Sequence, residues 1–318
     1  MKPSLFISRR LPDAVLKRAR LHFDVTLRDD TSAMRRDEMV AALAKFDAIL
    51  PTLGDQFSAD LFATPPMRAR ILANFGVGYN HIDVAAAKAA GLVVSNTPGA
   101  VTDATADIAL TLMLMTARRT GEGERMVRAG NWAGWHPTQM LGLHVSGKTL
   151  GVIGMGRIGK AIAARAALGF GMKVVFFNRS HVDNAGVPAT QLASIGDVAK
   201  AADVVVVALP GGPATRHMID GQVFAAMKPS AIFVNIARGD IVDQAALITA
   251  LQMGQIAGAG LDVYEDEPKV PADLIAMENV TLLPHLGTAA LDVRIGMGMM
   301  ALDNLVAFFA NETPPNAI

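Results

Sequence analysis

Between positions 149 and 159 the chain reads TLGVIGMGRIG, an apolar run that ends in glycines at Gly154, Gly156 and Gly159. Few patterns restrict a fold so tightly. An apolar strand, glycines at this spacing and then an amphipathic, alanine-rich stretch over 157–168 describe a strand, a tight turn and a helix packed back on the strand. Gly154 allows the turn out of the strand, Gly156 lets backbone approach a bound anion, and Gly159 lets the helix lie close on the sheet. A second strand at 173–177 completes the first turn of a β-α-β fold. The helix N-terminus faces the loop, so the wrapped group is anionic, and the pyrophosphate of a dinucleotide is the ligand this arrangement suits. Three glycines in a chain holding 29 of them also arise in ordinary turns; the flanking strand and helix separate the two readings.

The second strand ends in Asn178, Arg179 and Ser180. Dinucleotide-binding units often place an Asp or Glu here to accept hydrogen bonds from the adenosine ribose. A carboxylate repels a 2′-phosphate, whereas an amide, a guanidinium fork and a hydroxyl can all bond one, Arg179 bidentately. The expected cofactor is therefore NADP(H) and not NAD(H). The competing reading makes Arg179 a solvated charge in a turn.

The rest of the chain repeats the same alternation. Apolar strands are predicted at 5–8 and 92–95, and then at 204–208, 231–235, 257–261 and 281–283. Runs as apolar as DVVVVALP suit a parallel sheet covered on both faces. The stretch 104–117 is apolar but too short to span a bilayer and carries Asp107, so it reads as a buried helix. Arg9-Arg10 is followed by no apolar segment and reads as a strand-to-helix turn rather than a twin-arginine signal. The tail, 286–318, is helical in pattern and Met-rich. Pattern changes near Thr97-Pro98 and His285 mark the boundaries. With 318 residues about two domains are expected. Lys plus Arg and Asp plus Glu are both 29, so no basic excess points to nucleic acid. The absence of cysteine excludes disulfides and thiolate chemistry and fits a reducing, cytoplasmic setting. No metal and no membrane association are expected.

Candidate chemistry gathers at strand ends, where doubly wound sheets bind ligands. Asn235-Ile236-Ala237-Arg238-Gly239 follows one strand, Asp262-Val263-Tyr264-Glu265-Asp266-Glu267-Pro268 the next, and Leu283-Pro284-His285-Leu286-Gly287 a third. One Arg, one Glu and one His can thus converge. Each also has a plain alternative: Arg238 as an ion-pair partner, Glu267 as a solvated acid, His285 as a capping residue.

In this order the motifs resemble the D-isomer-specific 2-hydroxyacid dehydrogenase family, and within it the glyoxylate and hydroxypyruvate reductase branch. The blocks are NFGVGYNHID at 74–83, NTPGAVTDATAD at 96–107, VIGMGRIG at 152–159, LPGGPATRHMI at 209–219, NIARGDIVD at 235–243, GLDVYEDEP at 260–268 and PHLGTAA at 284–290. The resemblance implies an α/β architecture of two Rossmann-like doubly wound domains. A discontinuous, flavodoxin-like substrate domain (1–98 and 286–318) would hold an inserted dinucleotide-binding domain with a dimerisation segment (99–285), with a cleft between them and a homodimer as the assembly.

It also implies roles. Arg238, Glu267 and His285 become the catalytic trio, with His285 giving a proton to the ketone oxygen while NADPH delivers hydride, Arg238 gripping carboxylate and ketone oxygen, and Glu267 favouring the charged ring. Backbone N–H groups around Val77 and Gly78 take the substrate carboxylate. Arg157, Ile158, Thr102, Leu209, Pro210, Thr215 and Ala237 join the glycines along the cofactor, and Asp262 either binds the carboxamide or holds the site geometry, with the capping of a strand turn as its plain reading. Trp135 either reaches a neighbouring subunit's site or packs an interface. Asn80, where relatives more often carry Asp, and Asp292 depart from the pattern without touching the trio. Formate dehydrogenases of this architecture replace the Glu by Gln, so Glu267 argues for carbonyl reduction.

The function implied is NADPH-dependent reduction of glyoxylate to glycolate and hydroxypyruvate to D-glycerate. A bulkier 2-oxo acid is the alternative substrate, and a nucleotide-sensing, non-enzymatic relative is the alternative class.

Overall fold

A computed structural model describes residues 1–64 and 66–318. The chain divides into two compact units, Met1–Val101 with Thr288–Ile318, and Thr102–Gly287. Each is an α/β unit built on a parallel sheet, as the apolar strands separated by helical stretches predict.

The outer unit starts with β1 (Ser4–Ile7), α1 (Asp13–His22), β2 (Asp24–Leu27), α2 (Arg36–Lys45), β3 (Ala48–Leu50), α3 (Ala59–Phe62), β4 (Ile71–Ala73), α4 (Val84–Ala89) and β5 (Val93–Ser95). The sheet order is β2-β1-β3-β4-β5. Every residue of β3 and β4 is buried, because helices cover both faces. One face carries Phe57, Leu61 and Leu43, and the other carries Val15, Leu16 and Ala19 of α1.

The inserted unit begins with α5 (Thr102–Ala117) and α6 (Thr120–Arg128). It continues through β6 (Thr149–Ile153), α7 (Arg157–Phe170), β7 (Lys173–Phe177), β8 (Ala189–Gln191), α8 (Ile195–Ala201), β9 (Val204–Val207), α9 (Gly221–Ala226), β10 (Ile232–Asn235), α10 (Gln244–Gln252), β11 (Gly258–Leu261), α11 (Ala272–Ala276) and β12 (Val280–Leu282). Its strands run in the order β12-β11-β10-β9-β6-β7-β8. The order reverses between β6 and β9, and such a switch point opens a crevice at the carboxyl ends of the strands. α5 is the apolar stretch read from the sequence. It buries Ala106, Ala109, Leu112 and Met113, while its outward Asp103 and Asp107 pair with Arg165 of α7 at 2.9 and 2.7 Å.

The chain then returns to the outer unit in α12 (Leu291–Phe309), which lies against α1 so closely that a Cβ on Gly298 would stand 2.5 Å from Val15 Cγ2. Two local expectations differ from the structure. β8 is a short edge strand that three residues of mixed polarity do not announce. The tail is helical only to Phe309: Asn311 takes a left-handed φ of 62°, Pro314-Pro315 cannot extend a helix, and the last residues instead bond to β5 through Ile318 N–H and Val94 O at 2.9 Å.

Candidate active site

The glycine loop has the geometry its sequence calls for. Gly154 sits at φ +101°, and a Cβ there would lie 2.7 Å from Ala208 O, so both conformation and close approach demand glycine. A Cβ on Gly159 would stand 2.1 Å from Gly154 O, which is how α7 comes down on the loop. Gly156 is different: a Cβ there would meet no atom within 4 Å. No contact among the described residues requires glycine at 156, and a bare backbone there leaves room for a ligand to approach the loop. The 14-residue helix α7 begins at Arg157 with no acidic residue in its first turn, so its terminal N–H groups and dipole suit an anion. The loop therefore fits a dinucleotide pyrophosphate.

At the end of β7, Asn178 is turned inward. Its Oδ1 accepts from Met155 N–H at 3.3 Å, tying the second strand end to the glycine loop, and its Nδ2 donates to Ser180 O and Oγ at 3.0 and 3.2 Å. Arg179 is exposed and makes no hydrogen bond or ion pair among the described residues. The segment is fixed from behind by Gln191 on β8. Gln191 Nε2 donates to Asn178 O at 3.2 Å and Ser180 O at 3.0 Å, and its Oε1 accepts from Val182 N–H at 3.0 Å. Sequence reasoning missed Gln191 because it missed the edge strand that carries it. Across the switch point, Leu209 and Pro210 follow β9, and Thr215 Oγ1 donates to Pro210 O at 2.9 Å, folding that loop into a short turn.

Three further loops end β10, β11 and β12. Asn235 organises the first: its Oδ1 accepts from Ala237 N–H at 3.0 Å and its Nδ2 donates to Arg238 O at 2.9 Å. Arg238 Nη1 donates to Ala237 O at 2.6 Å. Burial holds the guanidinium below its usual pKa, against the opposing pull of Glu267 and Asp240, so a cation sits in a poorly solvated place. On the neighbouring loop Glu267 Oε1 accepts from Tyr264 N–H at 3.1 Å and Oε2 meets His285 Nδ1 at 2.8 Å. Burial pushes the Glu267 carboxyl up, but the bond to His285, the charge of that ring, the Tyr264 N–H and Arg238 together bring it below its ordinary value. An ionised carboxylate only accepts, so Nδ1 carries the hydrogen, and Nε2 is the ring nitrogen left for chemistry.

His285 stands at φ 55°, a left-handed conformation that costs a non-glycine residue energy unless its surroundings hold it. Asp262 holds it. His285 N–H donates to Asp262 O at 3.0 Å, and the Asp262 carboxylate accepts from Leu286 and Gly287 N–H at 2.6 and 2.8 Å. Burial raises the Asp262 pKa, while those two N–H groups and His285 act against the rise. Tyr264 is pushed up to about 12 by burial and by the charges of Asp262 and Glu267, and its neutral hydroxyl donates to Leu283 O at 2.9 Å.

The unit thus brings together Glu267 and His285 in direct contact, with Arg238 close enough to act on the Glu267 charge. A second histidine–carboxylate pair escaped the sequence reading. His217 Nε2 lies 2.7 Å from Glu265 Oε1, Arg216 lies 3.3 Å from the same oxygen, and His217 N–H donates to Asp240 O at 2.8 Å. The pair links the loops after β9, β10 and β11.

In the outer unit, Val77 and Gly78 lie on the partly exposed loop after β4. Trp135 is 79% exposed in the segment following α6.

A dinucleotide-type sheet with a Glu–His pair and a half-buried arginine at its strand ends has the parts an α/β oxidoreductase needs. The profile of the D-isomer specific 2-hydroxyacid dehydrogenase NAD binding domain matches residues 110–287. The glyoxylate reductase of Thermococcus kodakarensis is 41% identical, over 100% of this chain and 96% of that protein. The solved NADPH-dependent glyoxylate/hydroxypyruvate reductase of Sinorhizobium meliloti, in complex with NADP and malonate, superposes with a TM-score of 0.89 at 34% identity, covering 100% of this chain and 97% of that one. D-mandelate dehydrogenase of Rhodotorula graminis gives a TM-score of 0.86 at 30% identity, covering 100% and 97%. The chain belongs to the D-isomer-specific 2-hydroxyacid dehydrogenase family.

Proposed function

We propose that this protein is an NADPH-dependent reductase of small 2-oxo acids, converting glyoxylate to glycolate and hydroxypyruvate to D-glycerate, with His285 as proton donor. The observation that carries the reading is the Glu267–His285 contact of 2.8 Å at the strand ends of a dinucleotide-binding unit. The similarity to enzymes named glyoxylate reductase supports the substrate class.

When bound, the nicotinamide supplies a hydride to the carbonyl carbon. The chain supplies the rest. Val77 and Gly78 N–H groups hold the substrate carboxylate. Arg238, a cation with little water around it, steadies the carboxylate and the negative charge that grows on the carbonyl oxygen. His285 gives that oxygen its proton from Nε2 while Glu267 fixes the ring through Nδ1. In the reverse direction neutral His285 takes the proton from the alcohol. Asp262 holds the turn that presents His285.

Gly154, Gly156, Arg157, Ile158 and Gly159 hold the pyrophosphate, and Thr102, Leu209, Pro210, Thr215 and Ala237 line the cofactor. Arg179 and Ser180 take the 2′-phosphate, Arg179 with its guanidinium unspent and Ser180 with its hydroxyl. Asn178 serves this reading as the brace behind them, since both its amide atoms already have partners.

The protein acts as a cytoplasmic homodimer in this reading. Its support is that α6 buries none of its residues and that Val127, Trp132, Trp135 and Leu141 nearby are 60%, 54%, 79% and 68% exposed, an apolar surface of the kind interfaces cover.

The test is a matrix of initial rates with glyoxylate, hydroxypyruvate and pyruvate, each with NADPH and NADH, alongside sedimentation of the protein. Fast NADPH oxidation with the two small substrates is expected. Cofactor binding without turnover of any of the three would refute the substrate assignment.

A further inference from the structure

The loop after β4 is built on three consecutive carbonyls, each held by a side-chain amide. Asn74 Nδ2 donates to Gly76 O at 3.0 Å and to Gly78 O at 2.9 Å, and Asn96 Nδ2, reaching from the end of β5, donates to Val77 O at 2.8 Å. Thr97 N–H adds a second bond to Gly76 O at 3.1 Å. Asn74 is 1% exposed, and its Oδ1 lies 3.0 Å from His81 Nε2, a bond that fixes which end of the amide faces the loop.

In a planar trans peptide the C=O and the N–H point in opposite directions. Drawing the carbonyls of Gly76, Val77 and Gly78 onto Asn74 and Asn96 therefore turns the N–H groups of Val77, Gly78 and Tyr79 away from those amides. None of the three N–H groups has an acceptor among the described residues. Successive N–H groups left unspent within the fold are the donors from which a backbone anion site is made.

We infer that Asn74 and Asn96 are positioning residues that hold this loop as a carboxylate receptor, and that they set the preference for substrates bearing a carboxylate beside the carbonyl. The inference rests on the proposed reduction of 2-oxo acids. It makes the selectivity of the outer unit depend on two amides that touch no substrate.

The test uses Asn74→Asp, which keeps the shape but sets an acceptor against two carbonyls, and Asn96→Ala, a milder change at a partly buried position. Both are assayed with saturating NADPH against glyoxylate and against methylglyoxal, a carbonyl compound without a carboxylate. Inhibition by oxamate, the dissociation constant for NADPH and the melting temperature are measured alongside. In folded protein each variant is expected to raise the KM for glyoxylate and the inhibition constant of oxamate together by about tenfold, the loss of roughly one hydrogen bond to a charged group. The kcat for glyoxylate, the rate with methylglyoxal and NADPH binding should stay within about threefold. Unchanged glyoxylate KM and oxamate inhibition in folded Asn96→Ala, or equal losses with glyoxylate and methylglyoxal, would overturn the inference. A wild-type protein that neither reduces glyoxylate nor binds oxamate would instead refute the functional reading beneath it.

Discussion

Gly239→Ala adds one methyl group where the Arg238 loop and the Glu267 loop meet backbone to backbone. The new Cβ would stand 1.8 Å from Tyr264 C, 1.9 Å from Tyr264 O and 2.2 Å from Glu265 N. Non-bonded carbons settle near ~3.5 Å, so the two loops must separate by about 1.7 Å at the 1.8 Å carbon–carbon approach. No flexible side-chain end is available to give way. Arg238 adjoins the substituted residue, and Glu267 lies just beyond Glu265 on the other loop, so the displacement falls on two members of the trio together. Overpacking of this kind costs about 1–3 kcal/mol of stability, a fall of a few degrees in melting temperature for a unit of this size. A misplacement above ~1 Å in an active site costs on the order of 10²-fold in rate. Steady-state kinetics with glyoxylate and NADPH should therefore give a kcat/KM about 10²-fold below wild type. NADPH binding should fall far less than kcat/KM, because the pyrophosphate loop at 154–159 rests on its own contacts and Ala237 is the one residue of the displaced loop assigned to the cofactor. A variant with nearly wild-type kcat/KM and an unchanged melting temperature would refute the close-packed geometry and its link to the trio.

Three further outcomes are expected. Arg179→Ala should raise the KM for NADPH by about tenfold or more, the loss of a charge-assisted bond, with little change for NADH; an equal effect on both would refute the 2′-phosphate assignment. Gln191→Leu removes all three bonds from β8 to the 178–182 segment and should raise the NADPH KM several-fold with kcat nearly unchanged, read in the same assay. Asp47 is held at about 2, below its ordinary 3.8, by its hydrogen bond to Arg68, helped by the Ser4 N–H and hydroxyl against the opposing effect of burial. Its contribution is thus complete above pH 3.8 and is lost as the pH falls through about 2, so Asp47→Asn should flatten the acid limb of a melting-temperature curve between those values.

How much of the fold and of the site is legible in the sequence depends on how local the physical causes are. The turn at Gly154, the start of α7 and the buried valines of β9 follow from conformational freedom and apolar runs within a few positions, and they are legible. So are the strand ends bearing Arg238, Glu267 and His285, because a parallel sheet lines its carboxyl ends along one edge. Partners brought together across long separations are not legible. Nothing near Gln191 announces that its amide braces the 178–182 segment, and nothing near Asn74 or Asn96 announces the three carbonyls they hold. Gly239 reads as one glycine among many until Tyr264 is placed against it. Asn178 shows the converse: an amide suited to bonding a phosphate is occupied by Met155 N–H and Ser180, because the second strand end must be joined to the glycine loop.

Everything proposed for catalysis turns on His285, oriented by Glu267, passing a proton to the substrate of a nicotinamide-dependent reduction. The decisive comparison is kcat/KM for glyoxylate in wild type and His285→Gln, with the NADPH dissociation constant measured on the same preparations. A loss of about 10²–10⁴-fold is expected, the usual contribution of a positioned general acid, with NADPH binding unchanged. Turnover by the variant comparable to wild type would remove His285 as the acid and, with it, the proposed mechanism.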